Sequence, residues 1–285
     1  MRLIRYNLAN TTIEIMDLGL DQRSALITGA SSGLGLAAAM SLAREGCNVT
    51  ICSRDEERIQ KATESIRKHD WADPEKIYPV VCDVTQEAQI RLTIEKCVER
   101  FGQLHILLTN AGGPKTGLMD DYTEEDWRDG LELNLLSTIN LCRYALPHLR
   151  VAARQDGHAR ILMLTSIAAK QPIGSLYLSN TSRAGVQGFA KTLSEEIGKD
   201  GITVNTLLPG FTRTDRLQHL VDYIATQEDK TTEEVEQGWA QQAALNRLGE
   251  PWEFAAAATF LASKQAGFIT GVALPVDGGY SKHIL

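Results

Sequence analysis

The sequence predicts an α/β fold: one doubly wound parallel sheet of seven strands with helices on both faces. Three observations predict it. Short apolar runs alternate with helical patterns between residues 24 and 276, as expected of strands joined by helical crossovers. A glycine-rich stretch, Gly29-Ala-Ser-Ser-Gly-Leu-Gly35, falls between the first apolar run and the first helix. Polar and turn-forming residues gather after the C-terminal ends of the apolar runs, where open α/β sheets carry ligands.

The elements follow in order. Ser24–Thr28 is a short apolar run, hence a buried strand. Gly29 to Gly35 is a turn, and Leu36–Glu45 a helix. Asn48–Cys52 is the second strand, and Asp55–Lys68 a charged amphipathic helix. Ile77–Cys82 is the third strand, followed by a helix over Gln86–Phe101. His105–Thr109 is the fourth strand. A long helical stretch, Glu124–Arg150, carries Pro147, which removes a backbone donor and predicts a break before or at it. Arg160–Thr165 is the fifth strand, Leu176–Gly198 a helix, and Ile202–Leu208 the sixth strand. Residues 211–250 are polar and largely helical. Val272–Val276 closes the sheet. No repeat, linker or low-complexity run divides the chain, so residues 18–285 read as one domain. Residues 1–17 read as an N-terminal extension; the first 15 lack the apolar core of a secretory signal.

The bulk composition narrows the function. The chain has 285 residues and a net charge of −7, which argues against a general nucleic-acid or anionic-membrane binder. No apolar run approaches the roughly 20 residues of a membrane span. The five cysteines are scattered and form no C-x-x-C pair; they fit buried, reduced thiols in a cytoplasmic protein. The histidines show no metal-ligand spacing, so no metal site is expected.

Two chemistries can be read into the glycine turn. Glycines let a backbone approach a pyrophosphate, and the helix N-terminus behind them offers free N–H groups. The spacing is G-x-x-x-G-x-G. The same residues also satisfy G-x-S-x-G, which would make Ser31 a hydrolase nucleophile with Asp277 and His283 following in order. That rival leaves the later motifs unexplained. The second strand ends in Ser53 and Arg54. An acid there would bind both ribose hydroxyls of NAD; a hydroxyl and a cation suit the 2′-phosphate of NADP.

Further motifs occur in order: Asp83-Val84, Asn110-Ala-Gly-Gly113, Asn134, Ser166, Pro209-Gly210 and Val276-Asp-Gly-Gly279. Together with the glycine turn they resemble the short-chain dehydrogenase/reductase family, from about Leu18 to Tyr280, and in particular its 3-oxoacyl-carrier-protein reductases. The resemblance implies a Rossmann-type fold and site roles. Gly29, Ser31, Ser32, Gly33, Leu34 and Gly35 would line the pyrophosphate. Asp83 and Val84 would hold the adenine. Asn110, Ala111 and Gly112 would lie along the ribose, and Pro209, Gly210, Thr212 and Thr214 beside the nicotinamide. It also implies a homotetramer, or a dimer as the smaller form.

The chemistry of this family is hydride transfer between nicotinamide and a carbonyl or alcohol carbon. A tyrosine exchanges the proton, and a lysine four residues on lowers its pKa and holds the ribose. A serine about thirteen residues earlier orients the substrate oxygen, and an asparagine supports the lysine. Ser166 and Asn134 match. The tyrosine and lysine positions are held by Ser179 and Arg183. Three readings compete. Tyr177, two residues early, takes the role if the helix starts late. Otherwise Arg183 holds the ribose while Ser179 or water relays the proton. In the third reading the protein is a catalytically silent NADP(H)-binding sensor or scaffold. The expected protein is an oxidoreductase with a variant site, preferring NADP(H) over NAD(H), acting on a small carbonyl or alcohol. Residues 211–250 sit where substrate enters and would form a lid or, alternatively, support oligomerisation.

Overall fold

In the computed structural model the described residues are 17–283, with a two-residue strand pair, Asn7–Leu8 against Thr11–Thr12. The extension expected over residues 1–17 lies largely outside them. The sheet has seven strands: β1 Ser24–Thr28, β2 Asn48–Ser53, β3 Ile77–Val81, β4 Ile106–Thr109, β5 Ala159–Leu164, β6 Ile202–Pro209 and β7 Ala273–Val276. Their order is β3-β2-β1-β4-β5-β6-β7, and every pairing is parallel. The chain winds outward from β1 in one direction, then returns through β4 to build the other half. That reversal between β1 and β4 opens a crevice at the strand C-terminal ends.

The helices are α1 Gly33–Arg44, α2 Glu56–Arg67, α3 Glu87–Phe101, α4 Glu124–Leu131, α5 Ser137–Asp156, α6 Tyr177–Ile197, α7 Asp215–Glu228, α8 Thr232–Ala240 and α9 Pro251–Ala262. Two apolar layers sandwich the sheet. Ala25 and Ile27 of β1 face α1, α2 and α9, whereas Leu26 faces α3, α5 and α6. Alternate side chains of a strand point to opposite faces. Both faces are covered, so β1, β4 and β6 are buried along their whole length and read as mostly apolar runs broken only by buried Ser, Thr and Asn. All five cysteines are buried without disulfides.

One expectation is refined and one helix is added. Pro147 does not break its helix: α5 runs through it to Asp156. The carbonyl it leaves unpaired is that of Arg143, and both Arg143 and Pro147 are exposed, so solvent can reach it. Packing by Leu141, Cys142, Ala145 and Leu149 holds the other side. The irregularity falls earlier, as a π-helical turn at Glu132–Leu136 between α4 and α5. Helix α9 was not expected from sequence; it lies against α1 and buries Phe254.

Candidate active site

The C-terminal ends of β1, β4, β5 and β6 enclose a cleft of about 300 Å³. The glycine turn forms its floor on the β1 side. Thr28 Oγ1 donates to Asn110 O at 2.6 Å and accepts from Asn110 N at 2.8 Å, while Asn110 Nδ2 donates to Gly29 O at 2.9 Å. These bonds lock β1 to β4 and hold the turn shut. Gly29 has φ +57°, and a Cβ on Gly35 would lie 2.4 Å from Gly29 O. Only glycine fits this crossing. Helix α1 begins at Gly33, and no side chain caps its first N–H groups. Ser32, Gly33 and Leu34 present that uncapped end to the cleft, a ready seat for a phosphate. The donor set thus fits a dinucleotide pyrophosphate. Ser31 belongs to the same turn but does not line the cleft.

Four expected cofactor residues lie beside the cleft, around the ends of β2 and β3. Ser53 Oγ donates to Asp55 O at 3.0 Å. Arg54 is exposed next to it. Asp83 Oδ1 accepts from Thr85 N at 3.0 Å and from Thr85 Oγ1 at 2.8 Å, and Val84 is buried in the core. A further cation, overlooked in sequence, joins them: Arg58 Nη2 donates to Ser32 Oγ at 3.2 Å. It stands one turn into α2, on the rim of the glycine turn.

The β5 side carries Ser166, Ser179 and Arg183. Ser166 follows β5 and caps a short turn, its Oγ accepting from Ala168 N at 3.1 Å. Ser179 and Arg183 sit one helical turn apart on α6 and both line the cleft. Arg183 Nε donates to Ser179 Oγ at 3.2 Å, and Nη1 donates to Leu164 O at 3.3 Å and Thr165 O at 3.0 Å. No carboxylate pairs with Arg183 among the described residues. Burial, aided by the nearby Arg216 charge, lowers its pKa to about 10, so it stays cationic at neutral pH.

This geometry assigns donor roles. A hydroxyl has one proton and two lone pairs. Ala168 N occupies the acceptor side of Ser166, and Arg183 Nε that of Ser179. Each hydroxyl therefore keeps its proton to give to a group in the cleft. Three of the five guanidinium protons of Arg183 are engaged, leaving those on Nη2.

Tyr177 is elsewhere. Helix α6 is already wound at Tyr177, its first residue, so the late start needed to turn the ring inward does not occur. Two residues of α-helix rotate a side chain by about 200°. Tyr177 is 42% exposed, packs edge-on against Tyr122 at 6.3 Å, and does not line the cleft. Asn134 lies in the π-helical turn, buried. Its Nδ2 donates to Gly112 O at 2.8 Å and fixes the wall formed by Ala111 and Gly112. Its Oδ1 is buried without a partner.

The segment over residues 211–250 supplies the roof. Pro209, Gly210 and Thr212 end β6 in the cleft, and Thr214 caps α7 while touching the space above Gly33. Helices α7 and α8 follow. Phe211 stacks on Trp239 at 4.5 Å, with Tyr280 edge-on at 5.2 Å. Arg213 ties the loop to Glu236 at 2.7 Å and to Glu250 at 3.3 Å. Leu217, Leu220 and Arg216 of α7 face the cleft, and Arg216 Nη1 donates to Gly113 O at 3.4 Å. Sequence reasoning named none of these three; the apolar spacing of Leu217 and Leu220 was the available signal. The hydrolase constellation does not assemble: Asp277 is engaged by Gly279 N and Ser281 N, and no hydrogen bond joins Ser31 to His283 among the described residues.

The chain is similar to known proteins over nearly its whole length. The family model described as enoyl-(acyl carrier protein) reductase matches residues 29–281. The short-chain reductase protein NovJ of Streptomyces niveus is 31% identical over 95% of this chain and 98% of its own. The 3-oxoacyl-[acyl-carrier-protein] reductase FabG of Escherichia coli is 32% identical over 92% of this chain and 98% of its own. Among solved structures, L-sorbose reductase from Gluconobacter frateurii, complexed with NADPH and L-sorbose, superposes with a TM-score of 0.87 at 30% identity. That match covers 94% of this chain and all of the other.

Proposed function

This chain belongs to the short-chain dehydrogenase/reductase family, an oxidoreductase acting on C=O or CH–OH groups, and from that premise we propose an NADP(H)-dependent carbonyl reductase with a variant active site. The observation that carries the proposal is the donor cluster of Ser166, Ser179 and Arg183 at the β5 end of the cleft. When bound, the nicotinamide dinucleotide supplies the hydride. The protein's own part is to hold the reacting oxygen. As the carbonyl carbon is reduced, negative charge grows on its oxygen. The hydroxyls of Ser166 and Ser179 donate to that oxygen, and the guanidinium of Arg183 stabilises it electrostatically. Donors set in place beforehand need no reorganisation, which makes this kind of stabilisation large. Arginine keeps its proton, so the proton that finishes the alcohol comes from solvent, relayed through the Ser179 hydroxyl.

The phosphate seat supports the cofactor assignment: an uncapped helix end, Ser32 and Leu34 in the cleft, and Gly29, Gly33 and Gly35 shaping the turn. Ser53, Arg54 and Arg58 favour the 2′-phosphate of NADP over the plain ribose of NAD. Asp83 and Val84, after β3, would take the adenine, and Thr212 and Thr214 would flank the nicotinamide end. Helices α7 and α8 act as the lid. A homotetramer is consistent with the exposed Trp252, Phe260 and Phe268 on and after α9. Fluorescence titration with NADPH and NADH tests binding, and NADPH oxidation with a carbonyl panel tests turnover. Tight NADPH binding with turnover is expected. Binding without turnover on any carbonyl would favour a silent nucleotide binder, and no binding of either cofactor would overturn both readings.

A further inference from the structure

We infer that the substrate carries its own carboxylate close to the reducible carbonyl, and that Arg216 binds it. This names the substrate class of the oxidoreductase site and rests on that reading.

The cleft is charged against the trend of the chain. The protein as a whole has 36 acidic and 29 basic side chains. The cleft is lined by two arginines, Arg183 and Arg216, and one acid, Asp215. Neither arginine forms an ion pair among the described residues; each is anchored by main-chain carbonyls. Asp215 precedes Arg216 on the helix and so points about 100° away from it.

Arg216 is exposed as a residue, yet its guanidinium folds inward over the cleft wall. A Cβ at Gly113 would fall 1.8 Å from Nη2 and 2.0 Å from Cζ. Glycine at 113 thus leaves space that the guanidinium fills. Gly113 lies beyond β4, while Arg183 is pinned to the end of β5 beside Ser166 and Ser179. Both guanidiniums line the same cleft, and the Arg216 charge adds to burial in lowering the pKa of Arg183. Two like charges drawn together without a counterion are unfavourable. An anion placed between them relieves the repulsion, and a planar carboxylate matches the forked donors of a guanidinium.

The remaining wall is apolar, formed by Ile173, Leu176, Leu217 and Leu220. The matching ligand is a 2-oxo or 3-oxo acid with an apolar body, rather than a neutral thioester. In its reduction the C=O π bond breaks, the carbon takes a hydride from NADPH, the oxygen takes a proton from solvent, and the carboxylate is unchanged.

The test pairs acids with their esters. Benzoylformate and acetoacetate are compared with their methyl esters, on wild type, Arg216→Leu and Arg216→Lys. Binding is read as a change in fluorescence of bound NADPH, turnover as NADPH oxidation, and NADPH affinity separately. Wild type should favour at least one acid over its ester. Arg216→Leu should lose roughly 30- to 100-fold in kcat/KM for that acid, mostly through KM. The ester should lose at least tenfold less than the acid, NADPH affinity should stay within about threefold, and Arg216→Lys should recover part of the acid's loss. If NADPH binds but acid and ester are treated alike, or neither acid binds, the inference falls alone. If Arg216→Leu instead weakens NADPH tenfold with the acid-to-ester ratio unmoved, Arg216 serves the cofactor diphosphate and the inference falls. If wild type binds no NADPH, the oxidoreductase reading falls first and takes this inference with it.

Discussion

Replacing Ser179 with alanine removes one hydroxyl and little else. That hydroxyl accepts from Arg183 Nε at 3.2 Å, which leaves its own proton free to be donated. Arg183 keeps its bonds to Leu164 O at 3.3 Å and Thr165 O at 3.0 Å, so its position should survive. The loss is then confined to a donor at the developing oxyanion. Removing one such donor costs about 2.7–4 kcal/mol, a factor of about 10²–10³ in kcat. The site retains Ser166 and Arg183, so the lower end, about a hundredfold, is expected. NADPH affinity should stay within about threefold, because Ser179 lies on α6 at the β5 side of the cleft, away from the glycine turn of the proposed phosphate seat. A fall in kcat and kcat/KM together, with KM little changed, marks an interaction made in the transition state. Stopped-flow NADPH oxidation under saturating cofactor measures it. Tyr177→Phe is the control: the ring is 42% exposed and outside the cleft, so its activity should match wild type within about twofold. Full activity in Ser179→Ala with loss in Tyr177→Phe would refute the assignment.

Three other perturbations follow from the geometry. Gly35→Ala sets a methyl 2.4 Å from Gly29 O; forcing rigid backbone apart costs about 1–3 kcal/mol and should weaken NADPH binding at least tenfold, whereas Gly188→Ala on α6, with open space at its Cβ, should be neutral or slightly stabilising in a thermal melt. Removing Arg54 and Arg58 together should weaken NADPH roughly tenfold while leaving NADH within about twofold; equal loss for both cofactors would remove the 2′-phosphate role. His158 is buried, and desolvation, reinforced by Arg160, lowers its pKa to about 3. The unfolded chain protonates this ring near pH 6.5 and the folded one does not, so the contribution is whole above pH 6.5 and falls as pH drops toward 3. The slope is about 1.4 kcal/mol per pH unit, or about 2 kcal/mol between pH 7 and pH 5. Urea midpoints across that range should show it, and His158→Gln should flatten the curve; an unchanged slope in the variant would assign the effect elsewhere.

Strands were legible because a sheet buried on both faces writes each strand as an apolar run, and Ala25-Leu26-Ile27 is such a run. The glycine turn was legible because Gly35 crosses Gly29 too closely for any side chain. What stayed hidden lacks a pattern. Helix α9 is Ala-rich and apolar nearly all round, packing on α1 and the sheet while exposing Trp252 and Phe260; without a polar face it shows no helical period. Its Glu250–Glu253 capping box and Pro251 were the readable signals. The π-helical turn at Asn134 has no sequence signature, and Pro147 misled because an exposed proline can sit in a helix held by its other face. In the site, Ser166, Ser179 and Arg183 could be counted out along the chain. Arg216 could not, because its role depends on folding back over Gly113, a contact between residues 103 positions apart.

The most direct test is the structure of a ternary complex with NADP⁺ and an unreactive carbonyl analogue. The Ser179 and Ser166 hydroxyls should both lie within hydrogen-bonding distance of the analogue's oxygen, with Arg183 Nη2 beside it and Tyr177 still packed on Tyr122. A Tyr177 hydroxyl drawn into the cleft onto that oxygen, with Ser179 turned away, would contradict the variant site.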